Sequence, residues 1–364
     1  MKVVYITDNV DQKNGGGRFS YELIRQLKFA MPDLQQTVIV KSGSPTTDHI
    51  VIGKGLMGFV THFFRLRSLV GQADIVHAFD GMPYGLMATL LAWGQRAKVV
   101  ITFVGSGSIQ PLQSSWGRVV LSWVYRRAAK VIAISSYTAS EVKKRVPDLP
   151  IEIIVPGINS AYFQALRQSL QTDQSQIGQQ RPYILTVGKL KPRKGYLQSL
   201  AVFAQLKKNF PNLHYVIVGQ GEGTYRQQML DYIHEHQLDQ AVTILQQVED
   251  KELAQLYLNA ELFLLLPQNI DFDIEGFGLV YVEAASFGLP VVGTRDSGAV
   301  DALRHEYNGY LVDQQDSAEA TKVITAILRD PALRQRLSEH SVAFSRELDW
   351  QNIRQKYVEL YSQL

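Results

Sequence analysis

Twelve short apolar runs, the first six rich in valine and isoleucine, separated by longer amphipathic stretches, set the plan of this chain. Val3–Thr7, Thr37–Lys41, Asp74–Ala78, Lys98–Phe103, Lys130–Ile134 and Ile151–Val155 come first. Tyr183–Val187, Leu213–Val218, Val242–Leu245, Glu261–Leu265, Pro290–Gly293 and Gly309–Val312 follow. None alternates strictly between apolar and polar residues, which marks strands covered on both faces. Helical spacing lies between them, as in Arg18–Phe29, Ser114–Ala129 and Tyr137–Arg145. Repeated strand–helix units predict an α/β chain with parallel, doubly wound sheets.

The run of strands breaks once. From Gln164 to Arg181 the chain is glutamine-rich with few large apolar residues, and reads as a linker or an exposed helix and loop. The expected division is therefore residues 1–165 and residues 166–349, each a Rossmann-like unit. The 350–364 segment spaces Ile353, Tyr357, Leu360 and Tyr361 as one helix face. That face needs an apolar surface, which the first unit could supply. Two such units would face each other across a cleft at the carboxyl ends of their strands, where open α/β sheets bind ligands.

Other classes fall away on composition. The 37 basic and 34 acidic residues leave a net charge of +3, too balanced for a nucleic-acid partner. The absence of cysteine leaves no thiolate metal site and fits a reducing cytoplasm. The apolar-looking run Gly81 to Gly94 falls short of the roughly 20 residues of a membrane span, and Met1–Asp8 is too short for a signal peptide's apolar region.

The strand-to-helix loops carry the chemistry. Gly15, Gly16 and Gly17 follow the first strand and let the backbone approach an anion at a helix start, although a flexible loop fits them too. Lys189, Lys191, Arg193 and Lys194 crowd into the loop after Val187, a natural partner for phosphates; the plain alternative is a solvated basic loop. Gly219, Gly221 and Gly223 lack dinucleotide spacing and suit a tight turn equally well. Glu275 and Glu283 bracket the start of a helix over Leu279–Phe287, at most ~12 Å apart along an axis. Two carboxylates so placed could accept hydrogen bonds from hydroxyls at either end of a diphosphate. Asp271-Phe272-Asp273 mimics a metal motif but sits in a loop, and no metal or cofactor is expected. His234 and His236 point apart on a helix. His77 and Asp80 end a strand and could touch an acceptor, a satisfied loop histidine being the plain alternative. Residues 56–67 mix apolar side chains with Arg65 and Arg67, as a membrane-surface helix or an ordinary core helix would.

Together these loops resemble the retaining glycosyltransferases of family 4, which have the two-domain GT-B fold. "ILTVGKLKPRKG", "YVIVGQGEG" and "EGFGLVYVEAASFGLPVVGTRDSG" carry the resemblance, supported by "AKVIAISSYTASEVKK" and "IIVPGINSAYF". The resemblance implies transfer of a sugar from a nucleoside diphosphate, with retained anomeric configuration and no metal, to a glycan or lipid-linked acceptor, at the inner face of the membrane if the 56–67 helix touches it. It implies that Lys189 and Lys194 hold the diphosphate with Arg193 nearby, that Gly15 and Gly16 approach the donor phosphates or the acceptor and Gly219 the donor, and that Glu275 with the backbone of Phe277, Gly278 and Leu279 holds the sugar. Glu283 would take the ribose. Lys189 stands where the family usually has arginine, and Val104 where many members have a histidine against the donor sugar. The donor would then lack the hydroxyl met there, or Ser106 would substitute. A glycan phosphorylase on the same plan and a non-catalytic nucleotide-sugar-binding protein remain the alternatives.

Overall fold

The computed structural model describes residues 1–12, 15–42, 49–53, 55–171, 182–221 and 223–364. They form two compact units, Met1–Gly157 with Trp350–Leu364, and Ile158–Asp349.

The first unit runs β1 (Lys2–Thr7), α1 (Gly15–Ala30), β2 (Gln35–Val40), β3 (His49–Val51), α2 (Gly55–Gly71), β4 (Ile75–Phe79), α3 (Leu86–Ala92), β5 (Lys98–Phe103), α4 (Ser106–Ile109), α5 (Ser115–Arg127), β6 (Lys130–Ala133), α6 (Ser136–Lys143) and β7 (Ile151–Ile153). Its seven strands lie in the order β3-β2-β1-β4-β5-β6-β7, all parallel. The central strands are buried along nearly their whole length because helices cover both faces. Side-chain caps fix helix starts: Ser114 accepts from Gly117 N and Ser135 from Thr138 N, each at 3.0 Å.

The second unit runs α7 (Ser160–Gln171), β8 (Tyr183–Val187), α8 (Tyr196–Asn209), β9 (His214–Val218), α9 (Thr224–Glu235), β10 (Val242–Leu245), α10 (Asp250–Asn259), β11 (Leu262–Leu264), α11 (Leu279–Ser286), β12 (Val291–Thr294), α12 (Ala299–Ala302), β13 (Gly309–Val312), α13 (Ser317–Arg329) and α14 (Pro331–Glu347). Its six parallel strands lie in the order β10-β9-β8-β11-β12-β13. Tyr196, Phe203, Tyr215, Ile217, Leu264 and Ile324 are among its core residues.

The chain then returns to the first unit as α15 (Trp350–Ser362). Trp350 stacks on Phe19 of α1 at 6.4 Å between centroids, and Arg354 Nη1 donates to Gln26 Oε1 at 2.9 Å. Ile353, Tyr357, Leu360 and Tyr361 are buried, the face that helical spacing marked out.

The division between units falls at Gly157, ahead of the 165/166 boundary expected from composition. The reason is local. Asp349 caps α7 by accepting from Ser160 N at 3.0 Å, and Phe163 packs on Phe287 of the second unit. Residues 160–171 are therefore a helix of that unit; the glutamine-rich stretch from 172 to 181 lies outside the described residues. β3 was not anticipated, being only three residues long.

Candidate functional site

In the second unit the basic loop and the paired acids converge. After β8 the chain makes a turn over Pro192–Lys194 and enters α8 through Gly195, whose φ is 68°. A Cβ on Gly195 would lie 1.7 Å from Leu266 O, so only glycine lets this loop press against the end of β11. That contact turns Lys194 inward, and it is 8% exposed. Glu275, 7% exposed, accepts from Lys194 Nζ at 2.5 Å and from Arg193 Nη1 at 2.6 Å. Arg193 Nε also lies 3.3 Å from the half-exposed Asp273.

Burial alone would raise the pKa of Glu275; the charges of Lys194 and Arg193 overcome it and hold the group at about 2. Burial pulls Lys194 below the ordinary lysine value, an effect that Glu275 offsets in part and Arg193 reinforces. The centre is thus two cations on one buried carboxylate, with Lys189 and Lys191 exposed on the same loop. Glu275 and Asp273 balance Lys194 and Arg193, so the spare positive charge that this loop can offer an anion is that of Lys189 and Lys191.

The backbone beyond Glu275 is braced. Gly298 N donates to Glu275 O at 2.8 Å, and a Cβ on Gly298 would lie 2.2 Å from Gly276 O. Gly278, with φ 88°, leads into α11, and Leu279 is the helix's first residue. Phe277 is buried, so backbone rather than its ring is what this loop can present. Glu283 is buried within α11, and Tyr257 Oη donates to its Oε2 at 3.5 Å.

Gly219, expected to approach the donor, and the two motifs read as metal-like have structural partners. Gly219 lies where a Cβ would be 1.9 Å from Gly188 O, so its small size lets the β8 and β9 loops abut. In Asp271-Phe272-Asp273 the first two residues have positive φ, and Asp273 closes a turn on Ile270 while pairing with Arg193. His234 lies 3.5 Å from Asp239, and His236 stacks on Tyr232.

In the first unit, Gly15 and Gly16 open α1 and are exposed, with nothing within 4 Å of an added Cβ. Gly17 is the sterically constrained one, a Cβ there falling 2.1 Å from Asn9 Oδ1. His77 does not face an acceptor. It lies inside β4, which runs on to Phe79, and is fully buried. Its Nδ1 is 2.6 Å from Tyr361 Oη and its Nε2 is 2.7 Å from Thr102 Oγ1. Burial lowers its pKa to about 3, so it is a neutral core histidine.

Asp80 ends β4 with φ 81° and holds the loop after β5. Its Oδ1 accepts from Val104 N at 3.2 Å, Gly105 N at 3.3 Å and Ser108 Oγ. Burial raises its pKa despite those donors. Val104 therefore meets Asp80 through its backbone, and Ser106 begins the short helix α4 beside it. Sequence reading missed Asp8, Tyr84 and Ser108. Tyr84 Oη donates to Asp8 Oδ1 at 2.7 Å, and Lys41 Nζ is 3.6 Å from the same oxygen. Burial would raise Asp8, but Tyr84, Asn9 and Lys41 hold it below the ordinary aspartate value. Its position at the end of β1 was the available signal.

The model for glycosyl transferases group 1 matches residues 168–342, and that for glycosyltransferase family 4 matches residues 14–162. A GDP-mannose-dependent alpha-(1-6)-phosphatidylinositol monomannoside mannosyltransferase of Mycolicibacterium smegmatis is 25% identical over 276 residues, 73% of this chain and 71% of that one. A glycogen synthase of Mycobacterium tuberculosis is 26% identical over 298 residues, 80% of this chain and 69% of that one. Among solved structures, Anabaena HepE in complex with UDP-glucose matches with a TM-score of 0.81 at 20% identity, over 100% of both chains.

Proposed function

From the premise that the chain belongs to the group 1, family 4 glycosyltransferases, with the GT-B plan of two Rossmann-like parallel-sheet units, we propose that it transfers a sugar from a nucleoside diphosphate to a glycan or lipid-linked acceptor with retention of configuration. The observation that carries this reading is the buried Arg193–Glu275–Lys194 centre. As the bond from the anomeric carbon to the diphosphate breaks, negative charge grows on the phosphate oxygens and positive charge on the sugar ring. Lys194 and Arg193 stabilise the first, aided by the start of α11. Glu275 fixes both cations before substrate arrives and accepts from sugar hydroxyls; Glu283, farther along α11, suits the ribose hydroxyls. Lys189, exposed on the same loop, adds long-range attraction. With these cations on the leaving group, the reaction needs no metal ion. Acceptor recognition falls to the first unit, where Asp8 follows β1 and is held by the hydroxyl of the buried Tyr84.

The relatives support a nucleotide-sugar donor in two forms: GDP-mannose in the name of the mycobacterial enzyme, and UDP-glucose in HepE. A melting panel of UDP-, GDP-, ADP- and dTDP-sugars tests the reading. The true donor at a hundred times its Kd adds ~2.7 kcal/mol of stability. Lys194→Ala then lowers kcat by about a hundredfold. Stabilisation by no nucleotide sugar, or unchanged turnover in the variant, refutes it; loss of transfer on chelation refutes the metal-free part.

A further inference from the structure

We propose that the outer surface of α2, α3 and α5 seats the first unit on an anionic bilayer. These helices join strands that advance in one direction across the sheet, β3 to β4, β4 to β5 and β5 to β6. Right-handed crossovers place them on one face, opposite α1. They also touch: Arg67 of α2 donates to the Leu91 and Trp93 carbonyls at the end of α3, and Trp93 packs against Trp123 of α5 at 5.3 Å.

That surface has two unusual properties. It exposes large apolar side chains: Phe64 at 84%, Val119 at 71%, Trp116 at 67%, Val60 at 58% and Trp93 at 52%. It is also without acids. α2, α3 and α5 contain no aspartate or glutamate. From residue 49 to residue 140 there are nine lysines and arginines against two aspartates, in a chain whose net charge is only +3. Both aspartates are occupied: Asp74 accepts from Lys2 N and pairs with Arg96, and Asp80 holds the loop after β5. The rest of the chain is therefore net acidic, and α2 and α5 themselves carry Arg65, Arg67, Arg118, Arg126 and Arg127.

Charge complementarity selects the partner. Arg65, Arg118, Arg126 and Arg127 stand among the exposed aromatic and aliphatic groups, and Arg127 lies over the Trp93 and Trp123 rings at 5.1 and 5.6 Å. Guanidinium groups match lipid phosphates, indoles settle at the headgroup level, and phenylalanine and valine reach the acyl boundary. The expected contact over residues 56–67 is thereby enlarged to a three-helix surface, of which the Leu56 and Met57 side chains lie outside the described residues. No described helix is long and apolar enough to cross a membrane.

Co-sedimentation with phosphatidylcholine vesicles, with and without phosphatidylglycerol, tests the inference without any donor present. It is therefore read separately from the transferase chemistry. The chain should bind only the anionic vesicles, more weakly as salt rises. The double variant Arg65→Gln, Arg126→Gln should bind about thirtyfold more weakly, from roughly fivefold per charge. Phe64→Ser with Trp116→Ser should weaken binding about tenfold at constant charge. A melting curve like that of the wild type confirms that each variant is folded. Equal binding to both vesicle types, no binding, or variants that bind like the wild type would each overturn the proposal. So would a self-associated species in sedimentation velocity that these substitutions dissolve, since the surface would then belong to a second copy.

Discussion

Replacing Glu275 by glutamine separates the two jobs assigned to this carboxylate. In the folded chain its pKa is held at about 2, against an ordinary value of 4.5. At about 1.4 kcal/mol per unit, the difference is worth ~3 kcal/mol. Because the folded value is depressed, that stability is present above pH 4.5 and is lost as pH falls through about 2. Glu275→Gln should therefore lower the unfolding free energy near neutral pH by ~3 kcal/mol, within the range for breaking a buried pair. Lys194, already pulled down by burial, relieves part of the strain by giving up its proton. Urea titrations of both proteins across acid and neutral pH should show a constant gap above pH 4.5 that closes below it. In the same variant, binding of the free nucleoside diphosphate should persist, since a negative charge has left the anion site, while sugar transfer falls by at least about a hundredfold. Equal stability at neutral pH, or a gap indifferent to acid, would refute the electrostatic account. Loss of nucleotide binding together with transfer would show that Glu275 only holds the loop in place.

Gly278→Ala forces a side chain onto a residue at φ 88° and sets a Cβ 2.7 Å from the Tyr281 ring; a loss of about 1–3 kcal/mol in urea unfolding is expected, with weaker donor binding. For His77, unfolding takes up a proton between pH 6.5 and about 3, so full stability is present above pH 6.5 and fades below it. The advantage of wild type over His77→Gln should then shrink by about 1.4 kcal/mol per pH unit on acidification, and parallel stability curves would contradict the buried neutral state.

Much of the fold was legible because buried parallel strands are written in contiguous apolar residues. β5, β8, β10 and β13 begin and end where their valine and isoleucine runs do. β3 was not legible, since three residues beginning with histidine give no run to detect. At the candidate site, the crowding of cations before α8 and the glutamates around α11 could be read directly. Their pairing could not, because Arg193 and Glu275 are 82 positions apart and meet only through the packing of β8 beside β11. His77 shows the opposite failure. A histidine near a strand end suggests a ligand contact, but its hydroxyl partner Tyr361 is 284 positions away and invisible to local reading. The Asp8–Tyr84 contact was missed for the same reason of distance.

The homecoming of α15 has a consequence for biosynthesis. The α1 surface that receives Trp350, and the β4 histidine that awaits Tyr361, leave the ribosome hundreds of residues before the helix that completes them. The first unit therefore cannot complete its core until the whole Ile158–Asp349 unit has been made. A premature stop just ahead of Trp350 would spare the later-made half and cripple the earlier one.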